Sequence, residues 1–166
     1  MIALPVERAT WDRIAAAGSE IERLYWRRIP TFWIPREEWH FACGKLLELD
    51  RGRSALEMLV GPPDSEASVE DILVVLRHAS TINVEKEDAD HNDAVMFTYY
   101  VALAFKRLDA DPSVAEDAIL GLEWTYFHAL QDSERPARLL HKAMSQHPGF
   151  FVDMLKAVFG SGREVD

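Results

Sequence analysis

Apolar residues recur at the three- and four-residue spacing of an α-helix along nearly the whole of this 166-residue chain. One such stripe contains Trp39, Ala42, Cys43, Leu46 and Leu47, which would lie on a single helical face. No segment alternates apolar and polar residues over five or more positions between hairpin turn signals, as a half-buried strand would. The pattern therefore predicts an all-α fold of about eight short helices.

Capping residues, prolines and glycines predict the helix ends. We expect helices to start at four capping signals: Thr10, Ser19 with Glu22, Ser68 with Asp71, and Ser113 with Glu116. The helix predicted from Ser113 to Leu130 is apolar on more than one side, which is typical of a central helix. The helices are too short for a four-helix bundle. We expect an irregular, α-solenoid-like array of helix pairs, with a single domain at 1–160 and a frayed polar tail at 161–166.

The chain is acidic, with 18 Lys and Arg residues against 28 Asp and Glu residues and a net charge of −10. This charge excludes a generally basic binder of nucleic acid or of anionic membranes, because the mean field repels phosphate. Charged residues interrupt the N-terminal segment, which therefore does not read as a signal peptide. No apolar run approaches the roughly 20 residues of a membrane span. We expect a cytoplasmic protein that does not contact a membrane.

The densest acidic segment lies at residues 85–93, and oxygen-rich loops of this kind bind calcium or magnesium. Asp88, Asp90 and Asn92 have the spacing of the first EF-hand ligands. Asp93 and Tyr99, however, replace the glycine and the glutamate that this motif requires, so an EF-hand is excluded. Two interpretations remain open. The segment is either a solvated acidic loop, or a metal-binding module or metal-dependent hydrolase built on Asp88, Asp90, His91 and Asp93.

Other signals of chemistry are weak. The six histidines form no HExxH pair: His40, His78, His91, His128, His141 and His147. Cys43 lies on an apolar stripe, which favours a buried structural thiol over a nucleophile. No phosphate-binding loop, dinucleotide-binding glycine motif or nucleophile elbow occurs. We therefore predict no catalytic residue, no cofactor and no metal ligand, and the sequence favours a protein that is not an enzyme.

Aromatic and arginine side chains are concentrated in residues 25–33, and these residue types are enriched at protein interfaces. The candidate partner-binding residues are Trp26, Arg27, Arg28 and Trp33. The alternative is structural, with both tryptophans packed between the first helices and covered by arginine stems. A nucleic-acid contact is a third, disfavoured interpretation; it would use Arg23, Arg27, Arg28, Arg51 and Arg53.

Several runs of residues carry a family likeness. In the second half they are Leu122-Glu123-Trp124-Thr125-Tyr126, Ser133-Glu134-Arg135-Pro136, Leu139-Leu140-His141, and Pro148-Gly149-Phe150-Phe151-Val152 with Leu155. Upstream they are Leu24-Tyr25-Trp26-Arg27-Arg28, Lys45-Leu46-Leu47 and Ala55-Leu56. Together these runs resemble a helical, repeat-like region of large bacterial multidomain proteins of unknown function, over most of the chain apart from residues 62–111. The resemblance implies an α-helical appendage to a larger protein, and it carries over no catalytic residue.

The sequence thus predicts a non-enzymatic helical scaffold or protein-interaction domain, which binds a protein partner or other domains of a larger chain. Such a domain should expose an apolar or arginine-rich aromatic patch.

Overall fold

The computed structural model describes residues 6–79, 91–122, 125 and 138–159. These residues contain eight α-helices and no strand, which confirms the predicted all-α class. The helices are α1 (Arg8–Ala17), α2 (Ser19–Arg28), α3 (Trp39–Leu47), α4 (Gly52–Val60), α5 (Val69–Ala79), α6 (His91–Ala110), α7 (Arg138–Gln146) and α8 (Phe150–Phe159). Short 3-10 turns lie at Thr31–Trp33, Arg36–Glu38 and Glu116–Ile119. The α-solenoid-like stacking of these helices stays a prediction, and the predicted tail at 161–166 lies outside the described residues.

Helix α4 is the centre of the described fold. It packs against α3, α5, α6 and the 3-10 turn at Thr31–Trp33. Its side chains Ala55, Leu56 and Leu59 are fully buried, because this short helix has neighbours on several sides. The central position predicted for the helix from Ser113 to Leu130 stays a prediction, because much of that segment lies outside the described residues.

The predicted helix start at Ser113 is wrong. The backbone N–H and the hydroxyl of Ser113 both donate to Asp111 Oδ1, at 2.9 and 2.6 Å, which closes a turn in place of a helix cap. The 3-10 turn Glu116–Ile119 follows, and Gly121 then has φ +84°, a conformation that suits glycine. Ile119 and Leu122 are nonetheless fully buried, which accounts for the apolar pattern in the sequence. Residues 123–124 and 126–137 lie outside the described part of the chain.

The other capping predictions have mixed outcomes. The Asp71 N–H donates to Ser68 Oγ at 3.1 Å, as predicted for the start of α5. Helix α1 begins earlier than predicted from Thr10, because the Glu7 carbonyl already accepts from the N–H groups of Thr10 and Trp11, at 2.9 and 3.1 Å. The predicted capping box at Ser19 is also wrong, because Gly18 is the N-cap residue of α2 and no side chain caps that helix.

The turn from α3 to α4 positions Arg51, which contacts the end of α2. Asp50 has φ 56°, the left-handed conformation that ends many helices. The N–H groups of Asp50 and Arg51 donate to the carbonyls of Leu47 and Leu46, at 3.1 and 2.9 Å. This Schellman arrangement satisfies the last carbonyls of α3 and directs the chain into α4.

Candidate functional site

The two tryptophans of the predicted partner segment have different environments. Trp26 is 1% exposed, and its ring centroid lies 4.9 Å from that of Trp11 and 6.0 Å from that of Phe41. The prediction that Trp26 contacts a partner is therefore wrong, because its side chain belongs to the core between α1, α2 and α3. Trp33, by contrast, is 37% exposed. Arg27 is also exposed, in the last turn of α2.

Arg28 is exposed at the same helix end as Arg27, whereas Arg51 is a structural arginine. The half-buried guanidinium of Arg51 donates to the carbonyls of Trp26 and Ile29 and, at 3.1 Å, to Ser54 Oγ. These bonds tie the C-terminal end of α2 to α4. Burial lowers the pKa of Arg51. Arg51 is thus committed to the protein's own carbonyls, which contradicts its proposed contact with nucleic acid.

The 3-10 turn after Pro30 brings two aromatic rings to the surface. The N–H of Trp33 donates to the Pro30 carbonyl at 3.2 Å and that of Ile34 to Thr31 at 3.1 Å, so the turn is closed by its own backbone. Thr31 and Ile34 are buried on the inner side. Phe32 is 75% exposed, and its ring meets that of Trp33 edge to face at a centroid distance of 5.3 Å.

A cleft of about 360 Å³ lies beside this turn. We call it the aromatic cleft; its lining includes Phe32, Trp39, Glu57, Tyr99 and Tyr100, from the turn, α3, α4 and α6. Trp39 and Tyr100 are buried and form its floor, whereas Phe32 and Tyr99, 47% exposed, form its rim. The two tyrosine rings lie 5.4 Å apart at 64° to each other. The cleft volume is within the range of small-ligand sites.

One carboxylate lines the aromatic cleft. The side chain of Glu57 shares a hydrogen bond with Tyr100. Burial raises the pKa of Tyr100, and the negative charge of Glu57 raises it further, so the phenol stays protonated at neutral pH and donates. Arg53 lies one turn before Glu57 on α4, and its positive charge lowers the pKa of Tyr100. Arg53 does not line the cleft.

The surface continues from the aromatic cleft along α6. A second cleft, of about 460 Å³, shares Tyr99 with the first and extends past Leu103 to Lys106. Arg107 lies at its far end and donates to the carbonyls of Pro62 and Ser65, which holds the loop between α4 and α5 against α6. The two clefts are therefore adjacent, and Gly61 and Tyr99 line both of them.

A histidine–carboxylate pair lies on another face. His40 Nδ1 is 2.6 Å from Asp71 Oδ1, and this contact joins α3 to α5. The hydrogen bond and the charge of Asp71 raise the pKa of His40. Cys43 is 3% exposed, and burial raises the pKa of its thiol to about 12, so the thiolate nucleophile is scarce at neutral pH. The predicted burial of Cys43 is confirmed.

The predicted acidic segment is only partly covered. Residues 85–90 lie outside the described part of the chain, whereas residues 91–93 belong to the first turn of α6, so the end of the predicted acidic loop is helical. Within the described ranges, no three His, Cys, Asp or Glu side chains are grouped to hold a metal ion. None of the helices described for this chain is both long and apolar enough to cross a bilayer.

Sequence reasoning missed most of the aromatic cleft. Phe32 lies inside the predicted partner segment but is not among its four candidate residues, and Tyr99 was considered only as a residue that excludes an EF-hand. The adjacent pair Tyr99 and Tyr100 was the available signal, because neighbouring residues on a helix point about 100° apart, so a helix with one buried face exposes one of the two.

Comparisons of this chain with family models, with curated proteins and with solved structures find no match.

Proposed function

We propose that this protein is a non-enzymatic helical interaction domain, which binds a protein partner or another domain of a larger chain at the aromatic cleft. The observation that carries the proposal is the exposure of Phe32, whose ring is 75% accessible at the rim of a preformed cleft. Trp33 and Tyr99 expose further aromatic surface beside it. Tryptophan and tyrosine are the residues that most often dominate binding energy at interfaces.

The shape of the site supports this proposal over a flat contact. Aromatic anchors contribute most where they enter pockets from which water is excluded. The aromatic cleft offers such a pocket to a partner side chain, and its rim rings offer anchors to a pocket on the partner. The floor is held by structure, since Trp39 Nε1 donates to the Ile34 carbonyl at 3.1 Å. A preorganised floor reduces the entropy that binding must offset.

Site-specific photocrosslinking in the native host tests the proposal. We expect benzoylphenylalanine at position 32 to capture a discrete partner, identified by mass spectrometry. The matched control is position 74, because Val74 is 45% exposed on α5 and does not line the cleft. Adding Tyr99→Ala should abolish the crosslink from position 32. Equal capture from both positions, or capture that Tyr99→Ala leaves unchanged, would contradict the proposal.

A further inference from the structure

We infer that the aromatic cleft takes a lysine side chain of the partner, with the ammonium group held between the aromatic rings and the Glu57 carboxylate. This inference rests on the proposed function and names the chemistry that the site recognises. An ammonium ion is attracted to the faces of aromatic rings and, more strongly, to a carboxylate beside them.

The rings required for such a contact converge from separate elements. Phe32 and Tyr99 flank the opening, and Trp39 and Tyr100 lie below it. The volume of about 360 Å³ admits a four-carbon stem and its ammonium group. The stem would cover the apolar rims of the cleft, since lysine buries its methylene groups against apolar surface and directs its charge to polar groups.

A cation already lies near one of the rings that line the cleft, that of Trp39. The guanidinium carbon of Arg36 lies 6.0 Å from the centre of the Trp39 ring. Arg36 is paired with Asp64 at 2.8 Å and lies 4.0 Å from Glu66, so its own positive charge is compensated outside the cleft. Glu57 is the acidic group that lines the cleft itself.

The charge of the chain favours a basic occupant. The net charge of −10 attracts a lysine-bearing segment over long range and repels an acidic one. Arg53 opposes the attraction, because its positive charge acts on Tyr100 at the cleft floor. Removing the two charges should therefore change lysine affinity in opposite directions.

The test measures binding of two matched probes to the full chain by amide chemical-shift titration. The probes are Nα-acetyl-lysine N-methylamide and Nα-acetyl-norleucine N-methylamide, which differ by the ammonium group. We expect the lysine probe to bind about fivefold more tightly, the size of a partly exposed ion pair with Glu57. The difference should shrink as sodium chloride is raised.

Two variants separate charge from shape. Glu57→Gln keeps an acceptor for Tyr100 and removes the charge, so it should erase most of the preference for lysine. Arg53→Gln should increase that preference. Val74→Ala should change neither, and a dispersed amide spectrum of each variant shows that it is folded.

The outcomes distinguish this inference from the proposed function. Equal binding of both probes would overturn the lysine inference and leave an apolar cleft that still fits an interaction domain. No shift at the cleft amides with either probe would overturn it as well. The crosslinking at position 32 uses no lysine probe, so it decides the proposed function independently.

Discussion

Replacing each of the two tryptophans in residues 25–33 separates core packing from surface exposure. Trp26→Ala removes a side chain that is 1% exposed and packs against Trp11 at 4.9 Å and Phe41 at 6.0 Å. Truncating a buried tryptophan costs about 3–5 kcal/mol. The aromatic contacts place Trp26 near the top of that range, since each adds about 0.5–1.5 kcal/mol beyond area burial. The loss is a large share of the ~5–15 kcal/mol that stabilises a typical domain.

Trp33→Ala is the matched substitution. The Trp33 ring is 37% exposed, so less apolar surface returns to water and we expect a loss of about 1–2 kcal/mol. Urea unfolding should be followed by far-UV circular dichroism, because fluorescence would change with the removed chromophore. Both variants should keep the wild-type dependence on urea, which shows that only stability has changed. A loss below about 2 kcal/mol for Trp26→Ala, or equal losses for the two variants, would refute the assignment of Trp26 to the core.

Four further predictions concern other parts of the molecule. Arg138 donates to the carbonyls of Leu108, Asp109, Asp111 and Val114 at 2.8–3.2 Å. Arg138→Met should therefore lower the unfolding free energy, measured in urea, by about 2–4 kcal/mol. Arg138→Lys should not restore this stability, because an ammonium group cannot reach four acceptors. Asp71 raises the pKa of His40, so the wild-type protein should be more stable than His40→Gln below about pH 6.5. This stability difference should decline as the pH rises through the raised pKa of His40. Urea midpoints of both proteins over a pH series measure the difference, and a difference independent of pH would contradict the prediction. Cys43 should react with Ellman's reagent only as fast as the chain opens, whereas rapid labelling of the native protein would contradict its burial. If residues 85–93 hold a metal ion, millimolar Mg²⁺, Ca²⁺ or Mn²⁺ should raise the melting temperature. A hundredfold excess of metal over Kd raises the unfolding free energy by about 2.7 kcal/mol, and an unchanged melting temperature would exclude the metal interpretation.

Local signals predicted a helix start correctly where one side chain capped the helix, and wrongly where a second side chain offered a competing hydrogen bond. Ser68 caps α5 as expected, and the Asp71 N–H donates to its hydroxyl at 3.1 Å. Ser113 has the same type of signal, but Asp111 two residues earlier accepts both of its donors. A short acidic side chain can thus close a turn before a helix starts, and residue type alone does not say which hydrogen bond wins.

The candidate site was predicted only in outline, because exposure is a property of the whole fold. Trp26 and Trp33 lie in the same aromatic, arginine-rich segment, and its composition does not indicate which of the two is exposed. Their difference follows from tertiary contacts, because Trp26 packs against the rings of Trp11 in α1 and Phe41 in α3. Arg51 also holds the end of α2 against α4. That arginine comes from a later part of the chain, so no local pattern reveals the contact.

The sequence by itself determined the all-α class, because the period of the apolar residues is set by the 3.6-residue turn of the helix and is independent of which helices later meet. It also determined that Cys43 would be buried, since the thiol lies on such a stripe. Only the tertiary structure decided that α4 is central and that Phe32, Glu57 and Tyr99 share one cleft. Those groups come from three separate elements, and their distances depend on how helices pack rather than on how each one forms.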